Sequence, residues 1–320
     1  MSASIGLQLP TINDVQRAHA DIRTMIHRTP ILQSRYFDQL CGCELYFKCE
    51  NFQKTGSFKA RGACNAALKV ADTKQIITHS SGNHGAALAF AAQRLGFQAT
   101  VVMPTNASEV KKAAVKSYGG IVVECEPSNQ ARQQRCDELI ATSGAVFIPP
   151  YNHSNIIAGQ GTCALEMLES VPTLDVIVTP VGGGGLISGT VLAAQEASSP
   201  TVVVGAVPTQ ANDAARSLEA GNIICDDSPD TIADGLKVSL ADLTWHFVST
   251  GVSTIHSVSE ADIEHTMKMI WQRMKIIIEP SCAVTLAAVQ QNAHLYAGKK
   301  VGLILTGGNV NLDSLPWTSH

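Results

Sequence analysis

QIITHSSGNHGAALAFAAQRLGFQATVVMPTNASEVKKAAVKSYGGIVVE, residues 75–124, alternates between two periods. Gln75–His79, Ala99–Met103 and Ile121–Glu124 are short apolar runs of strand length, while Asn83–Leu95 and Ser108–Tyr118 space their apolar residues as helices do. Strands alternating with helices of about 10–15 residues make parallel βαβ units, and hence an α/β fold. The series extends both ways. Upstream lie a strand at Glu44–Cys49 and a helix over Ser57–Leu68; downstream follow a helix at Asn129–Thr142 and a strand at Ala145–Ile148. After Pro149-Pro150 a second series begins: helix Ala158–Glu169, strand Asp175–Thr179, a glycine loop, helix Leu186–Glu196 and strand Thr201–Val207. A less regular stretch, Asp226–Ser249, precedes helices at Ser259–Met274 and Pro280–Gln291 and a strand at Lys300–Leu305. The pattern divides the chain into a large domain, residues 1–70 plus 151–320, and a small α/β domain inserted into it, residues 71–150.

Composition narrows the function. Of 320 residues 45% are apolar and only 16% charged, with a net charge of −4, against about 25% charged in ordinary soluble proteins. That favours a large shared core and a buried subunit interface. A nucleic-acid or polybasic membrane partner requires a basic stripe, and the sequence has none. No 18-residue apolar run marks a membrane span. The start, MSASIGLQLP, lacks the charged and apolar regions of a leader. The nine cysteines are an odd, scattered set in which only Cys41 and Cys43 are close, so the expectation is free thiols in a reducing cytoplasm.

Three motifs carry chemistry. Gly182-Gly183-Gly184-Gly185 follows a strand and opens a helix, a place where exposed backbone N–H groups and a helix N-terminus suit a phosphate. It fits neither the dinucleotide fingerprint nor the Walker loop, and four glycines there are unusual for a merely flexible turn. In Lys54-Thr55-Gly56-Ser57-Phe58-Lys59, Lys59 sits among apolar neighbours, where a desolvated amine becomes nucleophilic; taken alone, a snorkelling surface lysine is the plainer reading. Thr78-His79-Ser80-Ser81-Gly82-Asn83-His84 is another strand-to-helix turn. It suits a substrate carboxylate and equally an N-cap supplied by Ser81 or Asn83.

Together these motifs resemble the fold-type II pyridoxal-phosphate enzymes, in the branch of serine racemase, threonine dehydratase and 3-hydroxyaspartate dehydratase. The likeness runs nearly end to end: FKCENFQKTGSFKARGA (47–63), THSSGNHGAAL (78–88), IAGQGT (157–162), PVGGGG (180–185), TIADGL (231–236), IIIEPS (276–281) and LTGGNV (305–310). The resemblance implies two doubly wound parallel-sheet domains, like the tryptophan synthase β chain, with the active site between them, and a homodimer. It implies pyridoxal 5'-phosphate as cofactor. Lys59 would bond its aldehyde and then serve as base at the substrate Cα. Phe58 would pack on the ring, Asn83 would hydrogen-bond its 3'-hydroxyl, Gly182 to Gly185 would cradle the phosphate, Gly235 would also bind the cofactor, and Thr306 would face the ring nitrogen. A neutral hydroxyl at Thr306 leaves a weaker electron sink than a carboxylate would, which suits β-elimination. Ser80, Ser81, Gly82 and His84 would line the substrate carboxylate pocket. Ser81 is also a candidate catalytic proton donor for serine racemisation, since pure threonine dehydratases usually have Ala there. The implied reaction releases a 2-oxo acid and ammonia from a β-hydroxy-α-amino acid.

The substrate turns on fewer residues. Arg132 matches an arginine that relatives place over the substrate side chain, and a guanidinium fork pairs bidentately with a carboxylate. That favours 3-hydroxyaspartate, with serine also accepted; the plainer reading is a solvated helix arginine. Pro149 and Val238 stand where some relatives have His and Ser, which makes phenylserine or threonine the competing substrate. The family's divalent-metal site is doubtful, because Val207 replaces a Glu ligand while Ala211 and Asp213 remain; the expectation is no metal. Glu279 matches a family segment near the cofactor without an assignable role. A different class, a non-catalytic cofactor-binding regulator, is disfavoured by the presence of Lys59, and synthases of this fold carry a different asparagine loop.

Overall fold

The computed structural model describes residues 8–226 and 229–318. Residues 1–7, on which most of the expectation about a leader rests, 227–228 and 319–320 lie outside the described residues. Ten strands are formed among the described residues: β1 (Ile31–Leu32), β2 (Glu44–Cys49), β3 (Gln75–His79), β4 (Gln98–Pro104), β5 (Ile121–Cys125), β6 (Val146–Phe147), β7 (Val176–Pro180), β8 (Val202–Pro208), β9 (Thr254–Val258) and β10 (Lys300–Leu305). They make two sheets, ordered β1-β2-β10-β7-β8-β9 and β5-β4-β3-β6. Every strand pairing is parallel except β1 with β2. The last strand of the chain therefore lies inside the larger sheet. β7 is buried along its whole length, as its unbroken apolar sequence requires of a central parallel strand.

Several elements escaped the sequence reading. The helix Ile12–Ile22 buries only Val15, Ala18 and Ile22, a narrow stripe, and starts in a Thr11/Asp14 capping box. Helices at Arg35–Cys41, Asp213–Ala220 and Asp242–Gly251 and the strands β1 and β9 were also missed. β9 (TIHSV) mixes polar residues into a partly exposed edge and gives little alternation.

The helix Lys59–Leu68 is placed by close backbone approach. A Cβ on Gly159 would lie 2.6 Å from Gly62 Cα, and one on Gly189 would lie 2.4 Å from the Gly161 nitrogen. The helices Lys59–Leu68, Ser154–Ser170 and Gly185–Ala194 thus meet through glycine contacts that no larger residue allows. Ala60, Ala63, Cys64 and Ala67 pack in one apolar cluster with Ile76, Leu88, Val101 and Ile156, so this helix shares a core with the layer around the four-stranded sheet. Beneath it runs a buried ionic network. Arg61 donates to both oxygens of Glu50 (2.8 and 2.8 Å) and both oxygens of Glu166 (2.8 and 2.9 Å), and Lys48 Nζ donates to Glu166 at 2.7 Å. Among the described residues no helix is long and apolar enough to cross a membrane.

Candidate active site

In parallel α/β sheets, ligands bind beyond the carboxyl ends of the strands. A cavity of about 610 Å³ opens there, where the end of β3 (His79), the end of β7 (Pro180) and Thr306 after β10 converge. It brings together every residue singled out above for catalysis, cofactor or substrate: Phe58 and Lys59; Ser80 to His84; Arg132; Gly182 to Gly185; Gly235; and Thr306. Val238 also lines it, whereas Pro149 does not; its neighbour Pro150 does. Of the two positions that differ from relatives, Val238 thus borders the cavity directly, and Pro149 stands one residue behind it.

Lys59 is the first residue of its helix, and the turn before it is unusual. Thr55 (φ 62°) and Gly56 (φ 71°) both occupy the left-handed region, which a threonine enters only when surrounding contacts hold it there. Asn309 supplies such a contact, donating to the Thr55 carbonyl at 2.7 Å. Phe58 N–H then donates to the Thr306 carbonyl at 3.0 Å, which ties the lysine turn to the end of β10. The Lys59 amine donates to the Pro150 carbonyl at 2.8 Å and lies 5.1 Å from the centroid of the Phe58 ring. Burial draws it down to about 8, against the opposing charge of Glu279.

The turn after β3 does not act as a side-chain cap. Gly82 occupies the N-cap of the helix Asn83–Leu95, and no side chain caps it; the Ser80 hydroxyl accepts the Gly82 N–H at 3.1 Å instead. The capping reading of Ser81 or Asn83 is overturned. His84 Nε2 lies 3.1 Å from the Ile148 carbonyl. A carbonyl only accepts, so Nε2 carries the proton, and burial pulls the ring down to about 3 and keeps it neutral.

The glycine loop is packed from behind. Gly184 has φ 84° and is the N-cap of the helix Gly185–Ala194, and a Cβ on Gly183 would stand 2.4 Å from the Tyr151 ring. A Cβ on Gly182 would stand 3.1 Å from the Gly235 carbonyl, so the two loops abut. The Thr306 hydroxyl pairs with the Cys282 thiol at 3.3 Å.

Sequence reasoning assigned no role to five contributors. Tyr151 buttresses the loop, the Pro150 carbonyl holds the lysine, Lys111 and Asp234 form an ion pair at the cavity wall, and His79 stacks on Phe147 beside the opening. His79 had a signal, as the last residue of β3 within the quoted serine-rich turn.

Residues 22–307 match the family described as pyridoxal-phosphate dependent enzymes. The chain belongs to this family. Among pyridoxal-phosphate dependent enzymes it is 50% identical over 314 residues to a β-hydroxyaspartate dehydratase of Paracoccus denitrificans, covering 97% of this chain and 100% of the relative. The crystal structure of serine racemase from Dictyostelium discoideum superposes with a TM-score of 0.90 at 44% identity, over 95% of this chain and 99% of that one. A pyridoxal 5'-phosphate-dependent aspartate racemase superposes at 0.92 with 36% identity, over 97% and 99%.

The residues present fit the family's cofactor. A side-chain-free glycine cradle at a helix N-terminus suits the phosphate, and a desolvated amine within the same cavity suits its aldehyde. A divalent cation fits less well. Val207 is fully buried in an apolar cluster with Ala214 and Leu240. Asp213 is buried, its Oδ2 has no hydrogen-bond partner among the described residues, and burial raises its pKa, favouring the neutral form. One such carboxyl falls short of the six to eight oxygens that calcium-like ions take.

Proposed function

We propose that this enzyme is a dehydratase (ammonia-lyase) of a β-hydroxy-α-amino acid carrying a second carboxylate, 3-hydroxyaspartate, with serine as a lesser substrate. The observation that carries this reading is that Arg132 and Lys59 line one cavity. The likeness to a β-hydroxyaspartate dehydratase supports it. Pyridoxal phosphate, when bound, supplies the electron sink that lets a Cα–H bond break. The protein supplies the rest. The glycine loop binds the phosphate, Asn83 and Thr306 orient the ring, and Phe58 packs on it. Ser80, Ser81 and Gly82 hold the substrate α-carboxylate, and Arg132 the distal one. His84, neutral and donating to Ile148, shapes the pocket wall without donating to that carboxylate. Lys59 takes the Cα proton; loss of the β-hydroxyl as water and hydrolysis of the C–N bond leave a 2-oxo acid and ammonia. Ser81 returns a proton from the opposite face, which gives a serine racemase side activity. A homodimer in a reducing cytoplasm belongs to this reading: the family resemblance carries the dimer, and an odd, scattered set of nine cysteines fits a reducing compartment.

Two measurements test it. Arg132→Ala should lower kcat/KM for 3-hydroxyaspartate about a hundredfold and for serine less than about threefold, the difference expected for a charge-assisted contact to one substrate only. Equal losses would make Arg132 a bystander, and preference for phenylserine or threonine in a substrate panel would shift the decision to the Val238 wall. Release of 2-oxo acid should also survive EDTA; abolition by EDTA with rescue by Mg²⁺ would show that Val207 does not remove the metal.

A further inference from the structure

Glu279 lines the cavity, is 3% exposed and has no part in the chemistry above. It is the N-cap of the helix Pro280–Gln291, and its backbone N–H donates to the Gly307 carbonyl at 3.0 Å. Its carboxylate accepts the amide nitrogen of Asn83 through both oxygens, at 2.9 and 3.1 Å. On the other side, the Asn83 carbonyl oxygen accepts from Asn309 Nδ2 at 2.9 Å, and that nitrogen also donates to the Thr55 carbonyl.

The direction of this chain of hydrogen bonds is forced. The Thr55 carbonyl only accepts, which fixes the Asn309 amide. Asn309 Nδ2 only donates, which fixes the Asn83 oxygen toward it. An ionised carboxylate only accepts, which fixes the Asn83 nitrogen toward Glu279. One N–H shared between the two Glu279 oxygens accounts for both distances and leaves the second N–H of Asn83 for the cavity, while the Asn309 backbone N–H gives the carboxylate a further donor.

We infer that Glu279 is a positioning residue: its carboxylate locks the Asn83 amide with a donor toward the cofactor ring, and its ionisation controls how firmly that donor is held. The inference rests on the reading of Asn83 as the ring-hydroxyl partner. The groups facing Glu279 come from every neighbouring element: Lys59, Asn83, Lys111, Asp234, the Asn309 backbone N–H and the Cys282 thiol. Burial, then Asp234, push Glu279 up to about 7, while Asn83, Lys111 and Asn309 pull the other way. The sign follows. Above about pH 7 the carboxylate is ionised and the clamp is complete; below it, one oxygen gains a proton, the charge-assisted contact becomes a weaker neutral bond to the remaining acceptor oxygen, and the Asn83 amide, still held by Asn309 at its oxygen, is gripped less firmly.

The test reads cofactor affinity, not turnover. The full chain, stripped and re-titrated with pyridoxal 5'-phosphate, is followed by visible absorption at pH 8 and pH 6. At pH 8, Glu279→Gln should weaken binding about tenfold, and less than about twofold in an Asn83→Ala background, because a contact to a charged group is lost only where Asn83 exists to make it. Additive losses in the two backgrounds overturn the inference. The wild type and Asn83→Ala also decide it without any Glu279 variant: the Asn83→Ala penalty must shrink at least about threefold between pH 8 and pH 6. An equal penalty at both values overturns the role of Glu279 alone. An Asn83→Ala variant with unchanged affinity overturns the ring contact as well.

Discussion

Lys59→Ala is expected to lower 2-oxo acid release by on the order of 10³-fold or more, since it removes both the group that bonds the cofactor and the base at Cα. Three lysines line the cavity, Lys59, Lys111 and Lys237, and the structure distinguishes them. Lys111 is engaged by the Asp234 carboxylate, and Lys237 is exposed. The Lys59 amine donates to a carbonyl oxygen beside an aromatic ring, and burial draws it to about 8 from the ordinary 10.5 against the opposing charge of Glu279. At pH 7.5 about a quarter of such amines are neutral, against about one in a thousand of ordinary lysines. In the cofactor-free chain, modification of Lys59 by an amine reagent should therefore be half-maximal near pH 8. Lys111→Ala should lose far less activity than Lys59→Ala. Activity within tenfold of wild type in Lys59→Ala would move the base to another residue.

The alternation around residues 75–124 made the α/β class legible because each apolar run there is long enough to show its period, with β3 and β4 largely buried and β5 half-exposed at the sheet edge. Lys59 and the four glycines were legible for a related reason: their chemistry demands a residue type at a fixed offset from a strand end. What escaped depends on parts of the chain distant in sequence. The Lys59 amine rests on the Pro150 carbonyl, 91 positions away, and a carbonyl leaves no mark on residue identity. The Lys111–Asp234 pair joins residues 123 positions apart, each of which reads as an ordinary surface charge. The serine-rich turn misled locally, since hydroxyls before a helix signal a cap, yet Gly82 takes the cap and Ser80 bonds to it. Glu279 had a visible motif but no visible partner until Asn83, 196 positions away, was placed against it.

Arg61→Ala is expected to destabilise the fold by about 3–5 kcal/mol, the usual cost of breaking a buried ion pair on one side only. Arg61 and Glu50 are both fully buried and Glu166 is 1% exposed. Two cations and two carboxylates balance in this network, and without Arg61 Glu50 loses its bidentate partner, keeping only the Thr29 hydroxyl and the more distant charge of Lys48. The pH dependence gives the mechanism a sign. In the wild type, burial would raise Glu50, but the charge and hydrogen bonds of Arg61 hold it below its ordinary 4.5, so the network stabilises above that value and fades as pH falls through the lowered one. In the variant the same burial acts almost unopposed, Glu50 is raised, and stability instead falls as pH rises past about 4.5. The gap between the two proteins should thus be widest near neutral pH and narrow toward pH 4.5, read as the difference in urea midpoints. Arg61→Lys should not close it, because an ammonium cannot span both carboxylates with a planar fork. The loss should reach the active site too. Arg61 stands two residues beyond Lys59 on a helix held by Gly62 and Gly159 in backbone contact, so loosening the network under that helix displaces the amine that the reaction requires. A gap that stays constant from pH 7.5 to 4.5 would assign the destabilisation to lost packing and leave the stranded carboxylate without a role.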